Sequence, residues 1–428
     1  MPIAHHPMNS FYLFTTGCKA NQWDSFLISQ RLKQAGFTQA PFAKADVLII
    51  NGCTLTQRAE RDIRRIIQRC RAEKPDSKIV LAGCHAQVYP ENNFGADLVL
   101  GQQEKFEIAA LIGQTGALVT EGRGFSLEEW AQKGMGTGKT RFFFKIQDGC
   151  DRFCSYCIVP FARGKSRSRP AAAVLEGMAF LKAKGIKEVV LTGIDIASYR
   201  DISSGLDLAG LIALLEMEET PPRIRISSAE PMSLCERLIS TIAASDKIAP
   251  SIHIPLQSGS DRILMEMRRP YSSDQIKEVV GRLQDQVPTI GIGMDVMVGF
   301  PGETEEDFDD SYRFIESLDI YYLHVFPYSD RQGTKASGME PKVPNSVKKE
   351  RVSRMKRLDE AKRLAFYQKF LGRRVWVIPE GRQYRDGTMK GYSENYIPVY
   401  LPYEKSIENN IVEVTIRGLR NNLPFGER

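Results

Sequence analysis

RFFFKIQDGCDRFCSYC, residues 141–157, opens as a strand and ends in a loop holding Cys150, Cys154 and Cys157. PAAAVLEGMAFLKAKG (170–185) follows as a helix, and the strand–helix unit then recurs. EVVLTGID (188–195) precedes DLAGLIALLEM, RIRISSAEP (223–231) precedes LCERLISTIAAS, and SIHIPLQSG (251–259) precedes SSDQIKEVVGRLQDQV. TIGIGMDVMVGFPG (289–302) precedes TEEDFDDSYRFIESL, and YYLHVFPYS (321–329) is a sixth strand. This alternation predicts a parallel, partial (β/α)6 barrel. Polar residues follow the strands: Thr192 and Asp195, Ser227 to Glu230, Gln257 and Ser258, Asp295, Tyr328 and Ser329. The carboxyl ends of barrel strands are where sites are built.

The C-x3-C-x2-C loop has no fourth cysteine nearby. Zinc and cubic iron–sulfur clusters ordinarily take four protein ligands. Three thiolates suit a cubane that leaves one iron open to a small molecule. The alternatives are zinc, with His253 as the barrel-core candidate for a fourth ligand, and a disulfide.

Toward the N-terminus, EGRGFSLEEWAQKGMGTGKT (121–140) reads as a linker. Its ending mimics a phosphate-binding loop, but Lys133 stands where that motif needs glycine, and a strand follows instead of a helix. Nucleoside triphosphate binding is therefore rejected. Before the linker, FYLFTTGC (11–18), DVLIINGC (46–53) and KIVLAGC (78–84) are strands, each ending in Gly-Cys. ADLVLG and EKFEIAALIG add a strand and a helix. Helices are expected over DSFLISQRLKQAG (24–36), with Asp24 or Ser25 as N-cap, and from Thr56 to about Lys74. Apolar strands alternating with helices imply an α/β, doubly wound parallel sheet. Ligands of such sheets gather at the carboxyl ends of the strands, so Cys18, Cys53 and Cys84 can converge as a second triad. The competing reading is three buried structural cysteines. Cys70 and Cys235 belong to no constellation and are expected to pack.

A chain of 428 residues is too long for one ordinary domain. No apolar run approaches the ~20 residues of a membrane span, and MPIAHHPMNS lacks the regions of a signal peptide. These features predict a cytoplasmic protein with no membrane partner, whose eight cysteines stay reduced. The net charge of +6 permits an anionic partner. From Lys348 to Trp376 there are eleven Lys or Arg and three acids, largely on a helix. Beyond it, RRVWVIPEG, GTMKGYSENYIPVYLP and NNIVEVTIRGL are short strands split by Gly and Asn turns, which suggests a small antiparallel β-barrel.

The cysteine loop, with Tyr156 just before its last cysteine, resembles the signature of the radical S-adenosylmethionine enzymes. That resemblance implies a [4Fe-4S] cluster on Cys150, Cys154 and Cys157, whose open iron binds S-adenosylmethionine and whose electron yields a 5′-deoxyadenosyl radical. Nearly the whole chain is similar to the methylthiotransferases, which convert C–H to C–SCH3. The likeness implies a second, auxiliary [4Fe-4S] cluster on Cys18, Cys53 and Cys84. LTGID, SSAEP and PLQSG match family words near the bound S-adenosylmethionine. They point to Thr192, Gly193, Ser228, Glu230, Gln257 and Ser258, together with Tyr156. The C-terminal strands resemble the OB-like TRAM module, which binds RNA. Arg373, Arg374, Tyr392 and Tyr396 are its expected RNA contacts. ARGKSRSR (162–169) is a second basic strip, whose Arg163, Lys165, Arg167 and Arg169 are expected on RNA phosphate or a substrate carboxylate.

TTGCKANQWDS (15–25), with Lys19, and IQDGCDRFCSYCIVPFARGKSRSR (146–169) are similar to the branch acting on N6-threonylcarbamoyladenosine at tRNA position 37. NGCTLTQRAE departs from it, because Gly52 replaces a more usual Thr. The organisation expected is a methylthiotransferase domain (8–120), a linker (121–140), a radical barrel (141–345), a basic helical connector (346–370) and a TRAM domain (371–428). Expected partners are a tRNA anticodon stem-loop, an external electron donor of reductase or flavodoxin type, and a sulfur source. Alternatives are the same reaction on N6-isopentenyladenosine or on a ribosomal-protein aspartate, and an iron–sulfur RNA-binding or redox-sensing protein without catalysis.

Overall fold

The structure, a computed structural model, describes residues 8–122, 124–125, 127 and 140–428. Most of the expected linker, with GTGKT up to Lys139, lies outside the described residues. The described chain falls into two compact units. One combines the described residues up to 127 with Gln147–Ser168 and Ser329–Ser337. The other combines residues 140–146 with Arg169–Tyr328 and Gly338–Arg428. The cysteine loop, placed above in the barrel segment by chain order, thus clusters with the N-terminal residues.

In the first unit six strands form one parallel sheet: β1 (Ser10–Thr15), β2 (Thr38–Gln39), β3 (Val47–Gly52), β4 (Lys78–Gly83), β5 (Leu98–Leu100) and β6 (Gly116–Leu118). Their order is β2-β1-β3-β4-β5-β6. The two outer strands, β2 and β6, have no counterpart in the sequence reading. From β1 the chain runs out to β2 and then returns past β1 to β3. The winding therefore reverses between β1 and β3, and that reversal is the switch point where ligands of such sheets bind. Helix α2 (Gln57–Glu73) starts at Thr56, whose side chain accepts the Ala59 N–H at 3.1 Å. Its Ile63, Ile67 and Cys70, spaced i, i+4, i+7, bury against Leu48, Ile50, Ile79 and Leu81. Helix α1 spans Lys19–Gln34 and packs on β1, β2 and β3. It begins earlier than expected: Cys18 is the N-cap, and Asp24 and Ser25 are buried inside the helix. Asp24 does not cap because its carboxylate is held by two buried cations, described below.

In the second unit six parallel strands follow one another: Arg141–Lys145, Glu188–Thr192, Arg223–Ile226, Ser251–Gln257, Gly291–Val298 and Tyr322–Pro327. They make two three-stranded sheets, joined by single bridges, Ile224 to Ile248 and Ser228 to His253. The result is the expected partial barrel, with five of its connections built on helices (Ala171–Ala183, Leu208–Met217, Glu236–Ala243, Ser273–Gln286 and Glu305–Ser317). Cys235, expected to pack, is instead exposed at the start of one of them.

The 24-residue helix Asn345–Gln368 leads into a closed five-stranded barrel. Four of its pairings are antiparallel, while Tyr400 and Phe425 pair in parallel, so the barrel is mixed, not purely antiparallel as expected. An odd number of strands cannot close with every neighbour reversed; one parallel pair is obligatory.

Candidate functional site

In the first unit Cys18, Cys53 and Cys84 follow β1, β3 and β4, at the switch point. Gly17 (φ +93°) makes the turn, and a Cβ there would sit 2.7 Å from Cys53 Sγ. Gly83 (φ +93°) makes the third turn, and a side chain there would overlap Asn51 Oδ1. Both turns need glycine twice over, for φ and for space. Gly52, the departure from the branch pattern, lies under α2: a Cβ would meet Ile63 Cδ1 at 2.8 Å.

The thiols sit in a polar cradle. Thr16 Oγ1 accepts the Cys53 N–H at 2.9 Å. Cys53 Sγ accepts the Leu55 N–H at 3.5 Å, and Cys84 Sγ accepts Gln102 Nε2 at 3.1 Å. Asn51 Nδ2 donates to Asn21 O (3.0 Å) and Ser25 Oγ (2.9 Å). Burial pushes the Cys53 thiol up to about 12, and Cys84 and Cys18 add to the shift. Burial also raises Cys84, against the pull of Arg163 and Lys105. Three soft donors that oppose one another's ionisation, with N–H groups aimed at their sulfurs, fit an iron–sulfur cluster, whose iron supplies the missing positive charge.

The second triad lies in the same unit. Gly149 (φ +73°) has no room for a side chain against Lys165 O. The Cys150 N–H bonds Gly164 O at 3.1 Å, the Cys157 N–H bonds Cys154 O at 3.0 Å, and Cys150 Sγ accepts the Arg152 N–H at 3.5 Å. Phe153 holds φ +49° to turn the loop between the first two cysteines. Cys154 is buried, while Cys150, Cys157 and Tyr156 are half-buried. The loop therefore presents sulfur donors beside accessible space, as a cluster with one open iron requires. No disulfide joins any of the eight cysteines.

Between the segments that carry the two triads runs a buried ionic network. Arg163 is 1% exposed. Its guanidinium donates to Asp148 Oδ1 (3.0 Å) and Oδ2 (3.1 Å), to Asp24 Oδ2 (2.9 Å) and to Asn21 Oδ1. Lys105, also buried, reaches Asp24 Oδ2 at 2.7 Å and bonds Gln102, the residue that donates to Cys84. Burial alone would lower the Arg163 pKa; Asp148, Cys84 and Asp24 hold it well above its ordinary value.

This corrects the basic-strip expectation. Arg163 is no surface residue, because two carboxylates and an amide satisfy its fork inside the protein. Arg167 is half-buried, pairs with Asp148 at 3.3 Å and donates to Arg163 O at 2.8 Å. Arg169, in the second unit, is buried with Nε on Lys145 O at 3.2 Å. Lys165 alone of the four is exposed.

In the second unit, Thr192, Gly193, Ser228, Glu230, Gln257 and Ser258 share the carboxyl edge of three neighbouring strands. Gln257 adopts φ +71° at a register shift in its strand. Glu230 is buried and clamped by Arg269, with both carboxylate oxygens at 2.6 Å, and Arg269 in turn bonds Tyr271. Its carboxylate shapes the loop by holding Arg269. Both ring nitrogens of His253 are engaged within this unit, by Asp295 at 2.9 Å and Tyr322 at 3.2 Å, so it does not serve as the zinc ligand considered above.

The C-terminal aromatics also move. Tyr392 and Tyr396 stack on each other (4.9 Å), with the Arg141 guanidinium 4.4 and 5.5 Å from their rings. Arg225 donates to Ser393 O (2.6 Å) and Glu394 O (2.7 Å). These half-buried tyrosines carry Arg141 and Arg225 against their rings, which leaves less of their faces to stack RNA bases. Arg373 and Arg374 are exposed, as expected. A groove the sequence reading missed lies on the small barrel, with a volume of about 600 Å3. Arg382, Arg385 and Arg420 line it with Tyr384, Tyr400 and Phe425. Arg382 lies 5.0 Å over the Tyr384 ring and Arg420 3.5 Å over Phe425. Cations interleaved with two half-buried tyrosine rings, over a buried Phe425, suit a single-stranded nucleic acid. The signal was present in the string RQYRD, but its partners Tyr400 and Arg420 come from other strands. No helix among the described residues is long and apolar enough to cross a membrane.

Comparison with known proteins adds independent observations. Residues 144–315 match the Radical SAM superfamily, and residues 10–101 match the Uncharacterized protein family UPF0004. The Threonylcarbamoyladenosine tRNA methylthiotransferase MtaB of Aquifex aeolicus is 38% identical over 89% of this chain and 96% of its own. A tRNA-2-methylthio-N(6)-dimethylallyladenosine synthase of Pelotomaculum thermopropionicum is 31% identical over 96% of both chains. Among solved structures, the radical S-adenosylmethionine methyltransferase TsrM of Kitasatospora setae aligns with a TM-score of 0.54 at 15% identity, covering 77% of each chain.

Proposed function

The chain belongs to the tRNA methylthiotransferases of the radical S-adenosylmethionine superfamily, and from that premise we propose that it converts C2–H of N6-threonylcarbamoyladenosine at tRNA position 37 into C2–SCH3. The observation that carries this reading is 38% identity across 96% of a relative named for that substrate, against 31% for a relative of the dimethylallyl branch.

Cys150, Cys154 and Cys157 would hold one [4Fe-4S] cluster, and Cys18, Cys53 and Cys84 the other. When bound, these clusters supply an electron that cleaves S-adenosylmethionine and an open iron site for the sulfur to be inserted. The chain's own residues do the rest. The N–H donors of Leu55, Gln102 and Arg152 steady the ligating sulfurs. Arg163 and Lys105 are balanced by Asp24 and Asp148, so this buried network fixes the segments beside the cysteines without adding net charge. Thr192, Gly193, Ser228, Gln257 and Ser258, with Tyr156, are the contacts proposed for S-adenosylmethionine. The Arg382–Arg385–Arg420 groove and the exposed Arg373 and Arg374 grip the anticodon stem-loop. The electron comes from an external donor of the reductase or flavodoxin class, the inserted sulfur from a source outside the chain, and the methyl group from a second S-adenosylmethionine besides the one that is cleaved.

The test is anaerobic incubation of cluster-loaded protein with S-adenosylmethionine, dithionite, sulfide as the sulfur source and tRNA carrying the threonylcarbamoyl base, followed by nucleoside mass spectrometry. The 2-methylthio product and 5′-deoxyadenosine are expected together. A protein that forms no 5′-deoxyadenosine is not an enzyme of this class; one that modifies only the isopentenyl base belongs to the other branch.

A further inference from the structure

The inner face of the partial barrel is set by register. On Ser251–Gln257 the alternate residues Ile252, Ile254 and Leu256 are buried, as are Ile292, Met294, Val296 and Val298 on Gly291–Val298. Side chains alternate faces along a strand, so His253 and Asp295 share the opposite face. There His253 Nε2 lies 2.9 Å and His324 Nδ1 3.5 Å from Asp295 Oδ1. Tyr322, His324 and Phe326 occupy alternate positions of the edge strand Tyr322–Pro327 and line the same face. The His324 ring centroid lies 4.9 Å from that of His253, 5.1 Å from Tyr322 and 6.4 Å from Phe326. The inner end of this ladder is closed and the outer rings are open: Tyr322 is 8% exposed, the His324 side chain 52%, and Phe326 44%. Among the described residues that strand pairs on one side only. Deeper in the same unit, Arg225 is bonded to the Ser393–Glu394 backbone and closes the floor.

Asp295 sits well below the usual carboxylate range: burial alone would raise it, but hydrogen bonds from His253 and His324 outweigh that. An ionised carboxylate only accepts hydrogen bonds, so His324 donates Nδ1–H to it. The Nε2 edge then points away from Asp295, toward the exposed side.

We propose that this aromatic ladder seats the extruded purine of the RNA substrate, with the base stacked on His324 and Phe326 and His324 Nε2 accepting an N–H of a polar, urea-type side chain on N6. The proposal rests on the tRNA reading above and assigns the residues that choose among N6 substituents. Chemistry favours a polar substituent over an aliphatic one. An isopentenyl group on this face would strip water from imidazole and carboxylate without replacing its hydrogen bonds, and sites built to hydrogen-bond a group reject analogues lacking it. The extruded base also gives the exposed rings a partner. His253, Asp295 and His324 each offer a ligand atom, all within 4.8 Å of one another, so a divalent cation is the rival occupant.

The test uses cluster-loaded, full-length protein and fluorescence anisotropy with anticodon stem-loops bearing threonylcarbamoyl-, isopentenyl- or unmodified adenosine at position 37. Wild type is expected to bind the first most tightly. His324→Ala should weaken all three RNAs through lost stacking and the threonylcarbamoyl RNA about tenfold more than the unmodified one, the excess being the loss of one specific contact. His324→Gln, which keeps an acceptor, should recover part of the preference. Phe326→Ala should weaken all three alike. A preference unchanged in His324→Ala overturns the proposal, as does a wild type that binds all three equally. So does a metal ion beyond the clusters that both Asp295→Asn and His324→Ala release. Intact preference with no methylthio product would instead sink the reaction assigned above and leave this site standing.

Discussion

Arg163→Met is the perturbation with the largest consequence outside the cysteines. The side chain is 1% exposed, and its guanidinium bridges Asp148, Asp24 and Asn21. Methionine fills similar volume but takes the bidentate guanidinium from Asp148, which keeps Arg167 at 3.3 Å and the Gly149 N–H at 2.9 Å, and one of two cations from Asp24, which keeps Lys105. Removing one partner of a buried ion pair costs about 3–5 kcal/mol. For a unit of roughly 150 residues each kcal/mol lowers Tm by about 2–4 °C, so the loss should be on the order of 6–20 °C. Arg163→Lys should fall between, because one ammonium cannot span three acceptors in a fixed fork. Thermal unfolding of the cluster-free protein by circular dichroism isolates the effect from cofactor loss. Had Arg163 been a surface RNA contact, its removal would leave Tm unchanged and lower tRNA affinity. A Tm shift below about 2 °C would therefore refute the network described here.

Four other outcomes are expected. Replacing Cys18, Cys53 and Cys84 by Ala should lower iron from about eight to about four per chain, assuming two four-iron clusters; iron analysis of reconstituted protein decides, and an unchanged iron content contradicts the assignment. The triple change of Arg382, Arg385 and Arg420 to Gln should weaken tRNA binding and reduce the slope of log K against log salt by about 2–3, at roughly 0.7–0.9 per lost phosphate contact, whereas Tyr392→Ala should cost stability rather than affinity. Gly52→Thr should cost about 1–3 kcal/mol by overpacking against Ile63; in a double-mutant cycle with Ile63→Val, strict additivity would contradict the contact. Asp307 is held below the usual carboxylate range: burial pushes it up, but bonds from Arg262, Thr304 and Ser260 outweigh this. Its folded value is depressed, so its stabilisation is complete above about pH 4 and drains away as pH falls further; Asp307→Asn should flatten that acid limb in melts taken from pH 3 to 7.

Much of the fold could be read from periodicity because it follows from local rules. The Gly-Cys strand ends, the Thr56 cap and the strand–helix repeats of the barrel all depend on residues adjacent in the chain. The cysteine loop was equally legible, since its chemistry lies in a spacing. Missing were β2 and β6, two and three residues long, whose pairing partners rather than their own composition make them strands. The parallel closure of the small barrel was hidden for the same reason, being a property of strand number.

The misplaced site residues share one physical cause. Arginine and tyrosine are amphipathic, so their type does not say which side of the surface they occupy. Arg163 and Arg167 look like a basic strip in the string ARGKSRSR, yet Asp24 and Asp148, far apart in sequence, convert Arg163 into the buried centre of the first unit. Tyr392 and Tyr396 look like stacking platforms, yet Arg141, some 250 residues earlier, takes their faces. The reverse holds for Arg420 and Tyr400, unremarkable in sequence and joined to Arg382 and Tyr384 only by barrel closure. Charge compensation decides each case. A basic residue that meets carboxylates is drawn inward and becomes structural, and one whose neighbours are rings and other cations stays outside with its charge unspent. By that criterion the RNA grip proposed above, on the Arg382–Arg385–Arg420 groove with Arg373 and Arg374, is the reading charge favours, since Asp386 is the only acid in the groove's lining.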